Sequence, residues 1–172
     1  MRNSQVLLIV DMQKEGLLNR KVYNKKKLIE NINNLINFFR ENNKLIIFVR
    51  HTNQSFLKEN TDGWQFCEEL DILEEDVVIN KRHSNVFREK YFISFLKENN
   101  IKEVVVTGLI TDGCVKAACL GALEMGLSVV LVSDGHSTFH KNAEKIISDW
   151  NLYLREQGAI LLSTSDILQS IK

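Results

Sequence analysis

Six short runs dominated by valine, isoleucine and leucine recur along the chain, with helical patterns between them. They are Gln5–Val10 (QVLLIV), Lys44–Val49 (KLIIFV), Asp76–Ile79, Glu103–Thr107, Ser128–Val132 and Ala159–Leu162. A strand with one wet face alternates apolar and polar residues. An unbroken apolar run of this length is a strand covered on both faces, as parallel sheets are. The segments between carry helical spacing. Leu28, Ile32, Leu35, Ile36 and Phe39 mark a helix ended by Asn42-Asn43, and Phe92, Phe95 and Leu96 mark one running to Asn99. Val115, Ala118 and Ala122 mark a third, and Ala143, Ile146, Ile147, Trp150 and Leu154 a fourth that Gly158 ends. Crossovers between parallel strands are right-handed. The pattern predicts an α/β fold: one three-layer α/β/α domain over residues 1–172, built on a six-stranded, mostly parallel sheet. Residues 51–75 read as loop, with a possible short helix around Trp64–Leu70.

Charge narrows the partners. Lys plus Arg is 22 and Asp plus Glu is 22, so the formal net charge is zero and neither nucleic acid nor an anionic membrane is expected. The basic run Lys25-Lys26-Lys27 opens a helix and reads as a solvated face. Apolar runs such as Val6–Val10 and Val104–Val106 are too short to span a bilayer, and the chain enters its first strand with no leader pattern before it. Three cysteines, at 67, 114 and 119, are an odd count without zinc-site spacing or disulfide density, which fits a reducing cytoplasm. The absence of proline, with abundant asparagine and lysine, reads as base-composition bias in the source genome.

Open parallel sheets carry their sites just past the carboxyl ends of the strands. The polar residues there are Asp11, then Arg50 and His51, then Lys81, then a turn leading to Cys114, then Asp134 and His136. Asp11, Lys81 and Cys114 are thereby predicted to meet on one rim. Cys114 falls where the glycine-bearing turn 108–113 meets a helix N-terminus, whose dipole lowers a thiol pKa and favours the nucleophilic thiolate. Each residue also has a plain reading: a buried small apolar cysteine, a turn aspartate, a solvated lysine. Cys67 and Cys119 fit the buried reading better. His51, His136 and Gln13 are candidate pocket residues, and Trp64 is either a pocket wall or packing. His83 and His140 read as surface residues, and Gly108 and Gly113 as serving backbone geometry, without the pattern of a dinucleotide site.

Three segments resemble the signature segments of the isochorismatase-like cysteine hydrolases, a superfamily that includes nicotinamidases and N-carbamoylsarcosine amidohydrolases. They are Ile9-Val10-Asp11-Met12-Gln13, Lys81-Arg82-His83-Ser84-Asn85-Val86-Phe87 and Thr107-Gly108-Leu109-Ile110-Thr111-Asp112-Gly113-Cys114-Val115. A fourth, Val132–Thr138, is similar to a further family segment. The resemblance implies a catalytic triad of Asp11, Lys81 and Cys114. It also implies a cis peptide just before Ile110, with the Ile110 and Cys114 N–H groups forming an oxyanion hole. Nicotinamidases bind a metal through an Asp-x-His and a second His after strand two. The corresponding Val49–Phe56 holds one histidine and no carboxylate, so no metal and no cofactor are expected. Asn85 and Val86 stand where many relatives have Ser-Ala.

These readings converge on a cysteine-dependent hydrolase of carbon–nitrogen bonds other than peptide bonds. It would cleave a small amide or ureido substrate through a thioester, as a cytoplasmic homo-oligomer whose partner is that small molecule. The competing readings are a non-catalytic binding protein on the same fold, or a thiol redox sensor, which needs a resolving cysteine near Cys114.

Overall fold

In a computed structural model, which describes residues 4–170, the six apolar runs form one sheet in the order β3-β2-β1-β4-β5-β6. The strands are β1 (Gln5–Val10), β2 (Leu45–His51), β3 (Val77–Lys81), β4 (Glu103–Leu109), β5 (Ser128–Ser137) and β6 (Ile160–Leu162). Among the described residues every strand pair is parallel, and the single antiparallel bridge, Gln13 with Phe66, lies outside the strands. The helices are α1 (Lys14–Leu18), α2 (Lys25–Glu41), α3 (Lys90–Glu98), α4 (Lys116–Glu124), α5 (Ala143–Glu156) and α6 (Thr164–Gln169). Among the described residues no helix is long and apolar enough to cross a membrane.

Alternate side chains of each strand feed opposite faces, so the unbroken apolar runs serve two cores. Val6, Leu8, Val10, Ile47, Val49, Val104 and Val106 pack with Phe92 and Leu96 of α3, Ala118, Cys119 and Ala122 of α4, and Leu154 of α5. Leu7, Ile9, Phe48, Val105 and Val130 pack with Leu28, Ile32, Leu35, Ile36 and Phe39 of α2 and Ile167 of α6. These are the three expected layers.

The segment 51–75 differs from expectation. Its helical turn is a short 3-10 stretch, Asp62–Trp64, not a helix over Trp64–Leu70. Beyond it Cys67 N–H donates to the Met12 carbonyl and Lys14 N–H to that of Gln65. The chain is drawn out beside the segment after β1, and those backbone bonds replace the helical ones.

The sheet order places the site. The chain starts in the middle, at β1, winds outward to β3, then returns to β4 on the other side of β1. Strand order reverses between β1 and β4, and a crevice opens past their carboxyl ends at such a point. One device keeps these strands close there. Gly108 has φ +115°, and a Cβ on it would lie 2.1 Å from the Val10 carbonyl oxygen, so only glycine fits.

Candidate active site

Four consecutive strand ends supply the site. β2 and β3 continue past their apolar runs, so His51 and Lys81 are the last residues of their strands, paired side by side. Next in order, Asp11 leaves β1 with φ 50°, a left-handed conformation that aspartate tolerates better than bulkier residues. Its N–H still donates to Val49 O at 2.9 Å, which pins the turn to β2.

After β4 the Leu109–Ile110 peptide is cis. Residues Thr111–Val115 then form a π-type turn in which Gly113 (φ −123°, ψ −112°) breaks helical geometry. The Ile110 carbonyl accepts from the N–H groups of Gly113 (3.0 Å) and Val115 (3.2 Å). Cys114 therefore sits in this turn just ahead of α4, which begins at Lys116.

Lys81 joins the group. Its side chain is wholly buried, and its ammonium lies 2.9 Å from Asp11 Oδ2, 2.9 Å from His51 Nδ1 and 3.2 Å from Cys114 Sγ. An ammonium has three protons, and all three are used. Asp11 Oδ1 is buried with no hydrogen-bond partner among the described residues. It is an acceptor left open.

Burial pushes the Cys114 thiol up to about 12, the Asp11 charge adds to this, and Lys81 opposes both. The expectation of a thiol lowered by a helix N-terminus is corrected by that balance: the resting thiol is protonated at neutral pH. Burial also holds the His51 imidazole below its ordinary value, with Lys81 acting in the same direction. A neutral His51 that accepts the Lys81 proton at Nδ1 carries its own proton on Nε2.

Asp11, His51 and Cys114 also offer donor atoms within 4.8 Å of one another, as a metal site would. The Lys81 ammonium already contacts one atom of each of these three residues. A divalent ion there would have to displace that buried cation. The segment after β2, where nicotinamidases carry their metal ligands, offers only His51, whose Nδ1 already faces Lys81, so the residues present do not fit that metal.

A pocket of about 290 Å³ opens on this group, and Asp11, His51, Ile110, Gly113 and Cys114 line it. Gln13 lines it too, but its side chain is committed to the scaffold: Nε2 donates to the carbonyls of His51 and Trp64, each at 2.9 Å, and Oε1 accepts from His51 N–H at 3.0 Å. Trp64 is packing. It is buried, donates to Thr52 Oγ1 at 2.9 Å, and carries the Arg50 guanidinium 3.4 Å above its ring.

His136 is not in the pocket. Its ring nitrogens pair with Thr111 Oγ1 and Asn151 Oδ1, both at 2.8 Å, and burial lowers its pKa to about 4. A bulge explains the displacement: from Val106↔Leu131 to Gly108↔His136, two steps along β4 match five along β5. His136 thus supports the turn that holds Cys114.

His83 and His140 are exposed and pair with Glu89 and Asp112. Ser84 lines the pocket, whereas Val86 is core and Asn85 caps the turn after it by accepting from Phe87 N–H. Cys67 and Cys119 are buried in opposite cores. Arg20, Phe56 and Phe139 also line the pocket, and no sequence pattern marked them, because each comes from a connection without periodicity.

The fold and its rim thus define a three-layer α/β/α protein with a buried Lys81 joining an aspartate, a histidine and a pocket-facing thiol. The family model described as isochorismatase domain matches residues 5–165, and the chain belongs to the isochorismatase family. It is similar to the uncharacterised isochorismatase family protein YrdC of Bacillus subtilis, 30% identical over 145 residues that cover 81% of this chain and 76% of the relative. It is also similar to streptothricin hydrolase of Streptomyces noursei, 24% identical over 151 residues that cover 86% of this chain and 60% of that protein. Among solved structures, a crystal structure of an isochorismatase from Pseudomonas putida KT2440 superposes with a TM-score of 0.84 at 25% identity, covering 94% of this chain and 89% of that one.

Proposed function

We propose that this protein is a cysteine hydrolase that cleaves the C–N bond of a small carboxamide or ureido compound through a thioester on Cys114. One observation carries the reading: the buried Lys81 ammonium is bonded to both Asp11 Oδ2 and Cys114 Sγ, while Asp11 Oδ1 is left without a partner. The relative named streptothricin hydrolase supports a hydrolytic reading.

Asp11 takes the Cys114 proton as sulfur attacks the substrate carbonyl carbon. The N–H groups of Ile110 and Cys114 hold the oxyanion, an effect worth roughly 3 kcal/mol or more per donor in comparable sites. The C–N bond breaks, and the nitrogen leaves with the proton from Asp11. Water then gives a proton to Asp11, its oxygen displaces sulfur from the acyl carbon, and Cys114 recovers the proton. Lys81 keeps a positive charge beside both partners throughout, and the Nε2–H of His51 is available to the bound substrate.

The test is a panel of small amides and ureido acids, assayed for released ammonia or amine, with acyl-enzyme sought by intact-mass spectrometry. The native protein should turn over at least one member and carry acyl on Cys114, and Cys114→Ala should do neither. Equal turnover by Cys114→Ala would refute the reading.

A further inference from the structure

The pocket's charges point to a substrate class. Of its lining residues, Arg20 is the one cation of fixed charge. Among the described residues Arg20 belongs to no ion pair. Its guanidinium lies 5.1 Å from the Phe139 ring centroid and 5.9 Å from that of Phe56, which fixes it against two aromatic side chains. Neither of the pocket's two carboxylates pairs with Arg20. Asp11 faces Lys81 at 2.9 Å, and Glu15 Oε2 accepts from Asn19 Nδ2 at 2.6 Å. Leu57, Leu109 and Ile110 give the lining apolar surface, with Asn53 and Ser84 as neutral polar groups. Arg20 and Phe56 are solvent-exposed, which puts them at the mouth, while Cys114 is only partly exposed.

We propose that Arg20 is an anion-binding subsite and that the substrate carries a carboxylate on the part of the molecule away from the scissile bond. A planar guanidinium with free N–H groups matches a carboxylate with two parallel hydrogen bonds, and the flanking rings remove competing water. This rests on Cys114 being the reacting group of the same pocket. The acid group binds at the mouth, the apolar walls take a short linker, and the amide carbon reaches the thiol. Arg20 is a specificity residue and takes no part in bond breaking, so its replacement weakens the reaction of anionic molecules more than that of neutral ones.

The test uses thiol alkylation, which needs no hydrolysis. Cys114 of the full chain is modified with 3-maleimidopropionic acid and with the neutral N-propylmaleimide, and the rates are read by mass spectrometry. The acid-to-neutral rate ratio should fall on the order of tenfold in Arg20→Gln, the loss of one charge-assisted contact, and recover in part in Arg20→Lys. The rate with N-propylmaleimide serves as the reference for any general change in the pocket. A second arm compares kcat/KM for succinamate and succinamide: Arg20→Gln should lower the first, through KM, by on the order of tenfold more than the second. An unchanged alkylation ratio in Arg20→Gln overturns the subsite, even if amides are hydrolysed. A lowered ratio with no amide turned over keeps the subsite and overturns the hydrolase reading instead.

Discussion

Replacing Lys81 by methionine keeps the length of the buried stem and removes its charge. The Asp11 carboxylate, about a tenth exposed, then loses its cation, while Oδ1 already lacks a partner. Breaking a buried ion pair from one side costs about 3–5 kcal/mol, because the remaining charge is left uncompensated. Against a total of roughly 5–15 kcal/mol for a domain, that is a large fraction, and it should lower Tm by roughly 10 °C. Adding Asp11→Asn removes the stranded charge, so Asp11→Asn/Lys81→Met should be more stable than Lys81→Met alone. Urea unfolding of the wild type, the two single variants and the double variant gives the coupling energy directly. If the second substitution lowers stability further, by the amount it costs in the wild-type background, the two side chains are not energetically paired and the account of the site falls.

Three other outcomes follow from the same surroundings. His136 has an ordinary value of 6.5 and is lowered by burial to about 4, so the unfolded chain binds its proton first. The stability this confers is present above pH 6.5 and is lost as pH falls towards 4, with about 2 kcal/mol gone between pH 7 and pH 5. His136→Gln should flatten the pH dependence of urea unfolding by that amount, and an unchanged slope would show that His136 is not buried and neutral. Alkylation of Cys114 should rise about tenfold per pH unit from 7 to 9, since its thiol lies at about 12, and should exceed that of the buried Cys67 and Cys119. A plateau with a midpoint near neutrality would show a resting thiolate. Turnover should survive dialysis against a chelator, because the segment after β2 offers a metal only His51, and Lys81 already holds it; loss of activity restored by zinc or manganese would contradict this.

The strands were legible because burial on both faces leaves no polar position in Val6–Val10 or Val104–Val106. Their ends were not, because ladder hydrogen bonds are backbone bonds and go on past the last apolar side chain. Arg50, His51 and Lys81 extend β2 and β3, and Asp134 and His136 belong to β5 itself. Two helices left little signal. The five residues of α1 bury only Leu17, and α6 is announced mainly by its capping box, Ser163 with Asp166, a pattern readable in the sequence. The positions of Asp11, Lys81 and Cys114 could be read because each follows an apolar run. The work of Gln13, Trp64 and His136 could not, because it depends on which polar atoms of distant segments fall within reach.

That dependence explains why His51 is the informative addition. Its sequence position offered no reason to choose between a loop histidine and a pocket residue. The sheet order decides it, since β2 lies between β3 and β1 and sets His51 between Lys81 and Asp11. Lys81 can then hold three acceptors at once, and its bond to His51 Nδ1 leaves only Nε2 to carry the imidazole proton. With the resting thiol protonated, charge separation in this site is confined to Asp11 and Lys81 until a substrate arrives. Under the proposed mechanism, a substrate carbonyl that takes up negative charge as the C–S bond forms would provide the compensation that burial denies to a free thiolate. In the proposed reaction, proton transfer to Asp11 therefore accompanies attack and does not precede it.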